Sequence, residues 1–358
     1  MIGEKTERIS RCRALVTGAG GFIGHHLIKY LKIKGYWVRG VDIVTSKFEA
    51  TTADEFEFLD LRRWANCLQA ARGIDEVYHL AANMGGIGFI TNVKAQVMHD
   101  NVLINAHMLE AARLHQVKRF FFSSSACVYP TYKQVRPDIT GLKESDVYPA
   151  QPDNEYGWEK LFTERLCLDY YQEHGLETRI ARFHNIYGPL GAWRGGREKS
   201  PAAICRKVAE AEDGGFIEIW GDGKQTRSYC YIDDCLEGIF ALTQSNIREP
   251  LNIGSDRMVT ISELADMVMK IAGKRLTKNY DLTKPQGVRG RNSDNSRVKK
   301  LLGWEAKVSL EEGLARTYRW IALQLKKHRQ PAQGPDHMDS APRWTEETLE
   351  TVYPHRRT

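Results

Sequence analysis

The stretch R-A-L-V-T-G-A-G-G-F-I-G-H-H-L-I-K-Y-L-K, residues 13–32, decides the fold. Arg13 to Thr17 is a short run of strand formers, and H-H-L-I-K-Y-L-K has the apolar spacing of an amphipathic helix. Between them Gly18, Gly21 and Gly24 form G-x-x-G-x-x-G. Strand, glycine turn and helix in that order make the phosphate-binding start of a dinucleotide fold. There the backbone approaches a pyrophosphate, and the N–H groups and dipole of the helix start, here at Phe22 and Ile23, favour the anion.

Working outward, further strands are predicted at Trp37 to Val41, ending at Asp42, at Glu57 to Leu59, ending at Asp60, and at Val77 to Leu80. A fifth is predicted at Arg119 to Phe122 and a sixth at Thr178 to Phe183. Helical patterns separate them, at Gln96 to Leu114 and through Tyr156 to Tyr171. That alternation predicts an α/β fold, a doubly wound parallel Rossmann sheet joined by right-handed crossovers. A carboxylate at Asp42 suits the adenosine ribose hydroxyls and repels a 2′-phosphate, so NAD is the expected cofactor.

The texture changes after residue 187. A long loop rich in glycine and basic residues runs to Pro201, followed by a helix at Ala202 to Ala211 and shorter mixed elements. We therefore expect an NAD-binding domain over 13–187 and a smaller mixed α/β substrate domain over 188–327. Parts of 228–255 are expected to return to the first domain. Residues 328–358 read as a polar tail.

Composition excludes several classes. The charge of +6 is spread without a Lys/Arg block or interleaved aromatics, which argues against nucleic acid and suits an anionic small substrate. No apolar run is long enough to span a membrane, and the first residues have no apolar signal core. The seven cysteines include no C-x-x-C pair and no zinc-ligand spacing, so we expect reduced thiols, no metal and a cytoplasmic enzyme.

The chemistry gathers between Phe121 and Lys160. Here F-F-S-S-S-A-C-V-Y-P reads as a strand running out into a serine loop, and Y-G-W-E-K follows at 156–160. Tyr156 and Lys160, four apart on a helix, share a face. A nearby ammonium is expected to pull the phenol down from its ordinary pKa of about 10 toward the working range. The phenolate can then take a hydroxyl proton while the nicotinamide takes the carbinol hydride, with Ser125 holding the same oxygen. Cys127 lies two residues beyond Ser125. Judged alone it would be a small buried hydrophobe, as free cysteines commonly are.

T-G-A-G-G-F-I-G, Asp60-Leu61, H-L-A-A and Y-G-W-E-K together resemble the extended short-chain dehydrogenase/reductases. N-M-G-G-I-G-F-I, S-S-A-C-V-Y-P, R-F-H-N-I-Y-G-P, G-G-R-E-K-S-P-A-A, W-G-D-G-K-Q-T-R-S and G-V-R-G-R-N-S-D-N look, over residues 13–325, like the GDP-mannose 3,5-epimerase family. That resemblance implies a nucleotide-sugar epimerase acting on GDP-mannose with a retained NAD. It implies Tyr156 and Lys160 as the redox pair, Ser125 as their partner, and Cys127 and Lys199 as the acid/base pair. The cofactor contacts it carries are Gly18, Gly21, Phe22, Ile23, Gly24, Asp42 and Asp60, with Tyr156 and Lys160. For substrate it implies Gly85, Ser125, Ala126, Cys127, Asn185, Glu198, Lys199, Ser200, Lys207, Gln225, Thr226, Arg227 and Arg291. It also implies a homodimer, through the Gln96 to Leu114 and Asn154 to Tyr171 helices.

Oxidising a sugar at C4 makes the C3 and C5 hydrogens α to a carbonyl, and inversion there needs two proton-moving groups on opposite faces. Which of Cys127 and Lys199 is acid and which base stays open. The planar forks of Arg227 and Arg291 suit phosphate. The rival readings are a 4-epimerase or a 4,6-dehydratase of the same superfamily, and a non-catalytic NAD-binding protein. A dehydratase would be expected to carry an acidic residue in the Ser-Ala-Cys loop, and none is there.

Overall fold

Apolar runs that are buried on both faces make the central sheet parallel. In the computed structural model, which describes residues 11–329, the strands are β1 (Arg13–Thr17), β2 (Trp37–Asp42), β3 (Glu55–Phe58), β4 (Glu76–His79), β5 (Arg119–Ser125), β6 (Thr178–Phe183) and β7 (Leu251–Ile253). They lie in the order β7-β6-β5-β4-β1-β2-β3, all parallel. The order reverses between β1 and β4, which is where doubly wound sheets bind ligands. β7, from the later half of the chain, completes the sheet beside β6.

Helices α1 (Phe22–Ile33), α2 (Trp64–Ala71), α3 (Lys94–Leu114) and α4 (Glu155–His174) cover the faces. The core between β1, β4 and β5 and helices α2 to α4 includes Leu15, Val77, Phe120, Phe122, Met108 and Leu109. Three small strand pairings stand apart from this sheet. Phe216–Trp220 pairs with Thr277–Asp281, Thr226–Ser228 lies between Met258–Thr260 and Gly290–Arg291, and Ile186–Tyr187 pairs with Cys230–Tyr231.

Several boundaries shift by one or more residues from the sequence reading, and two of these bear on the site. β5 does not end at Phe122 but continues through Ser123 to Ser125, pairing with Ala181 to Phe183. The serines stay in the strand because their hydroxyls find acceptors: Ser123 Oγ donates to His79 O at 2.9 Å, and Ser124 Oγ to Glu164. A buried polar side chain costs little once it is paired. The helix expected from Ala202 begins instead at Ser200 as α5 (Ser200–Glu210), with Pro201 in its first turn. That shift leaves Lys199 at the helix N-cap.

The described residues up to Ala322 pack as one unit. The last helix, Leu310–Arg329, remains helical through Lys326 to Arg329, where polarity suggested a tail. Basic residues favour a helix C-terminus, so polarity there does not end the helix. The rest of the expected tail, 330–358, lies outside the described residues.

Two buried histidines, one tying sheet to helix and one tying the end of β6 to β7, set an acid limit. His79 Nδ1 accepts from Thr17 Oγ1 and its Nε2 faces Asn105 Oδ1, both at 2.9 Å. His184 Nε2 lies 2.9 Å from Asn252 Oδ1. Burial, chiefly, brings each down to a pKa of about 3. Between that value and the ordinary one the unfolded chain binds protons that the folded chain does not, so stability falls as pH falls through this window. Acidifying from neutral to about pH 5 is expected to cost about 3–4 kcal/mol for the two together. Urea midpoints at the two pH values check this, and glutamine at both positions should flatten the difference.

Candidate active site

The glycine turn has the shape a pyrophosphate needs. Gly18 has φ +69°, and a Cβ there would sit 2.9 Å from Ala81 N. A Cβ on Gly24 would lie 2.1 Å from Gly18 O, so only glycine lets α1 start this close to the loop. No acidic residue occupies the first turn of α1, which leaves its N–H groups and dipole for an anion. Asp42 ends β2 with Oδ2 accepting the Gly20 N–H at 2.9 Å and Oδ1 the Ile43 N–H at 2.6 Å. Gly20 is a contributor the spacing did not single out. A Cβ there would fall 2.0 Å from Val44 O, so it seats the turn against the loop after β2. Asp60 is engaged by Arg62, at 2.8 Å, rather than left open. These features fit a dinucleotide, with Gly18 to Gly24 cradling its pyrophosphate and Asp42 at its adenosine ribose.

Across the switch point, β5 ends at Ser125 and a 3₁₀ turn, Ala126–Val128, carries Cys127. Ser125 Oγ caps that turn by accepting the Cys127 N–H at 3.2 Å. Helix α4 begins at Asn154, whose side chain accepts the Gly157 N–H at 2.9 Å. Gly157 explains part of the Y-G-W-E-K motif, because a Cβ there would collide with Cys127 O at 2.2 Å. Tyr156 is therefore pressed against the turn that bears Ser125 and Cys127. The Ser125 hydroxyl is near enough to the phenol to favour its phenolate. Lys160, fully buried, has Nζ 4.7 Å from the Phe122 ring centroid and 5.4 Å from that of Tyr156.

The electrostatics reverse one expectation. The Tyr156 pKa lies well above its ordinary value, because burial penalises the phenolate and Glu159 and Cys127 add negative charge; the Ser125 hydroxyl opposes this. Lys160 does not overcome the desolvation. Its own ammonium is lowered by burial, with Glu159 opposing. Glu159 was not singled out from sequence. It is fully buried, 4.0 Å from Lys160 Nζ, and held by Asn101 and Asn105 at 2.9 and 3.0 Å.

Cys127 and Arg291 come together from distant segments, and Lys199 is near enough to Cys127 to feel its charge. Burial lowers the Lys199 ammonium while Cys127 raises it, which places the two groups in each other's field. Lys199 is exposed, and solvent limits that shift. Arg291, expected to hold phosphate, donates from Nη1 to Cys127 Sγ at 3.2 Å and from Nε to Gln134 Oε1 at 2.7 Å, with Asp153 3.3 Å from Nη2. Burial would lower the Arg291 pKa, but Cys127 and Asp153 more than offset it. Gln134 and Asp153 carried no sequence signal, since neither lies in a recognisable motif.

The remaining expected substrate residues have these surroundings. Asn185 adopts a left-handed φ of 46° and donates to Ser228 O, and Ser200 Oγ lies 2.8 Å from Tyr229 OH. Glu198 accepts the Gly196 N–H at 2.7 Å. Gln225 donates to Trp220 O, while its buried Oε1 has no protein partner. Thr226 is engaged with Pro137 O. Arg227 donates to Thr226 O at 2.7 Å, and burial, helped by Arg291, lowers its pKa to about 10. Lys207 is occupied by Glu218, through its carbonyl at 2.8 Å and carboxylate at 3.0 Å. Gly85 is tucked against the Phe89 ring, and Ala126 packs with Val128 and Leu161. Among the described residues no cluster of three His, Cys, Asp or Glu could hold a metal, and no helix is long and apolar enough to cross a membrane.

A doubly wound sheet with a pyrophosphate turn, and a tyrosine and lysine on one helix across the switch point, defines a dinucleotide-dependent enzyme of the short-chain dehydrogenase/reductase type. The model of the NAD dependent epimerase/dehydratase family matches residues 14–254, and the chain belongs to that family. It is 49% identical to GDP-mannose 3,5-epimerase of Arabidopsis thaliana, over 90% of this chain and 84% of that protein. Its fold is similar to UDP-glucose 4-epimerase of Thermotoga maritima with UDP-glucose, at a TM-score of 0.80, 29% identity, 87% of this chain and 99% of that one. It is also similar to UDP-glucuronic acid 4-epimerase of Bacillus cereus in complex with UDP-glucuronic acid and NAD, at 0.74, 29%, 87% and 99%.

Proposed function

We propose that the chain converts GDP-D-mannose to GDP-L-galactose, with GDP-L-gulose as the singly inverted product. Two pairs of groups support this reading: Cys127 and Lys199, which feel each other's charge, and Ser125 and Tyr156, brought together where Gly157 packs against Cys127 O. A simple 4-epimerase needs the second pair but not the first. The similarity to the Arabidopsis epimerase over nine-tenths of the chain supports the same substrate.

Tyr156 takes the C4 hydroxyl proton, Ser125 holds the same oxygen, and Lys160 supplies positive charge beneath the phenol ring. Bound NAD supplies the acceptor for the C4 hydride and returns it at the end, so net redox is zero. With a ketone at C4, one of Cys127 and Lys199 removes the C5 proton and the other delivers a proton from the opposite face. The same exchange then inverts C3. Residues 13–187 hold the cofactor in this reading and 188–327 contribute most of the nucleotide-sugar side.

GDP-mannose in heavy water, read by NMR, tests the proposal. Deuterium at C3 and C5 is expected. No label at either carbon would sink it, and label at C5 alone would restrict it to 5-epimerisation.

The homodimer and a cytoplasmic setting belong to this proposal as well. Trp158 and Phe162 are 43% and 49% exposed and share a face of α4, with Met98 exposed on α3. Phe162→Glu is expected to halve the mass seen by light scattering; an unchanged mass would remove this face as the dimer seam. All seven cysteines are free thiols, which suits a reducing compartment.

A further inference from the structure

The loop between β4 and α3 and the loop before α5 are fastened together. The expected glycine loop folds into a short helical turn, Ile87–Ile90, with the Phe89 N–H bonded to Gly86 O at 2.9 Å. Gly86 N–H donates to Arg197 O at 3.1 Å, and Arg197 Nη1 donates back to Met84 O at 3.0 Å. The Arg197 guanidinium lies over the Phe89 ring, 3.8 Å from its centroid. A Cβ on Gly86 would fall 2.5 Å from Glu198 O, so the two backbones touch.

Each end of this contact leads to the chemistry. Asn83 N–H donates to Asn101 Oδ1 at 2.6 Å, and Asn101 holds the Glu159 carboxylate next to Lys160. On the other side Arg197 is two residues from Lys199, the exposed N-cap residue at which the loop enters α5. A path of contacts therefore runs from Lys160 through Glu159, Asn101 and the loop at 83–86 to the segment that carries Lys199.

We propose that Arg197 and Phe89 form a clasp that sets the position of Lys199 relative to Tyr156 and Lys160, and that both are positioning residues for proton transfer. This rests on the role given above to Lys199. A lysine on an unrestrained loop would spread over many positions, and proton transfer falls steeply with misplacement by about an ångström.

Two measurements test it. The first needs no substrate: trypsin should cut the native Phe89→Ala protein after the exposed Arg194 faster than the parent. The second uses holoenzyme and GDP-mannose in heavy water. Phe89→Ala and Arg197→Ala should each lower kcat for deuteration roughly tenfold to a hundredfold, with KM nearly constant and the transient NADH absorbance retained. Arg197→Lys should recover part of the rate, since it keeps a cation over the ring. The double variant should be no worse than the more affected single one, because one contact is broken only once. Unchanged deuteration in both single variants, or losses that multiply, would overturn the clasp. If the parent itself fails to deuterate GDP-mannose, the functional reading falls instead. The trypsin comparison then still decides the clasp, with unchanged cleavage overturning it.

Discussion

Cys127→Ala is expected to lower deuterium incorporation at C3 and C5 by about 10²- to 10⁴-fold. NAD binding and the NADH transient on adding GDP-mannose should survive. The fold tolerates the change, because the turn is capped through the backbone N–H of residue 127, which alanine keeps. What disappears is the sulfur that Arg291 Nη1 faces at 3.2 Å. Alanine leaves that N–H without its acceptor, so a modest stability loss of about 1–3 kcal/mol should accompany the catalytic one. Thermal unfolding separates the two effects. Exchange at the parent rate would remove Cys127 from the mechanism.

Tyr156→Phe should produce the complementary phenotype, losing the NADH transient and the deuteration together, again by about 10²- to 10⁴-fold. Without C4 oxidation neither neighbouring C–H is acidic, so the acid/base pair has nothing to act on. The ring is buried and its packing is kept; only the hydroxyl that meets Ser125 is deleted. Deuteration at C5 in this variant would show that proton exchange does not depend on oxidation by Tyr156. The upward pKa shift adds a spectroscopic expectation. In cofactor-free enzyme the Tyr156 phenolate should be absent even at mildly alkaline pH. Adding oxidised NAD, whose nicotinamide is cationic, should move its appearance to lower pH, because a nearby positive charge favours the phenolate. Difference spectra against Tyr156→Phe report this.

The two variants order the reaction. In the proposed reaction Tyr156 serves the carbon that is oxidised, and Cys127 the neighbours that oxidation activates. The rival 4-epimerase reading predicts a Cys127→Ala enzyme with full activity, so one variant discriminates between them.

Much of the fold was legible because its signals are local. The glycine spacing at 18, 21 and 24, the alternation of strand and helix, and the four-residue step from Tyr156 to Lys160 each depend on neighbours in the chain. Ser123 and Ser124 were misread as loop because a serine shows its strand character only once an acceptor such as His79 O or Glu164 is placed beside it. The cofactor turn, the redox pair and the identity of the family were within the reach of sequence. The meeting of Cys127 with Arg291, 164 residues along the chain, was not. Nor was the clasp between Phe89 and Arg197, or the bracing by Gln134 and Asp153.

The sequence by itself determined the dinucleotide fold and the chemical types available to the site, since spacing and side-chain chemistry are properties of the chain. Only the tertiary structure decided how far those groups are desolvated and which charges face them. That is why the phenol of Tyr156, expected to fall toward neutrality beside Lys160, instead rises. Burial by β5, α4 and the turn between them, together with Glu159 and Cys127, outweighs one ammonium that is itself buried.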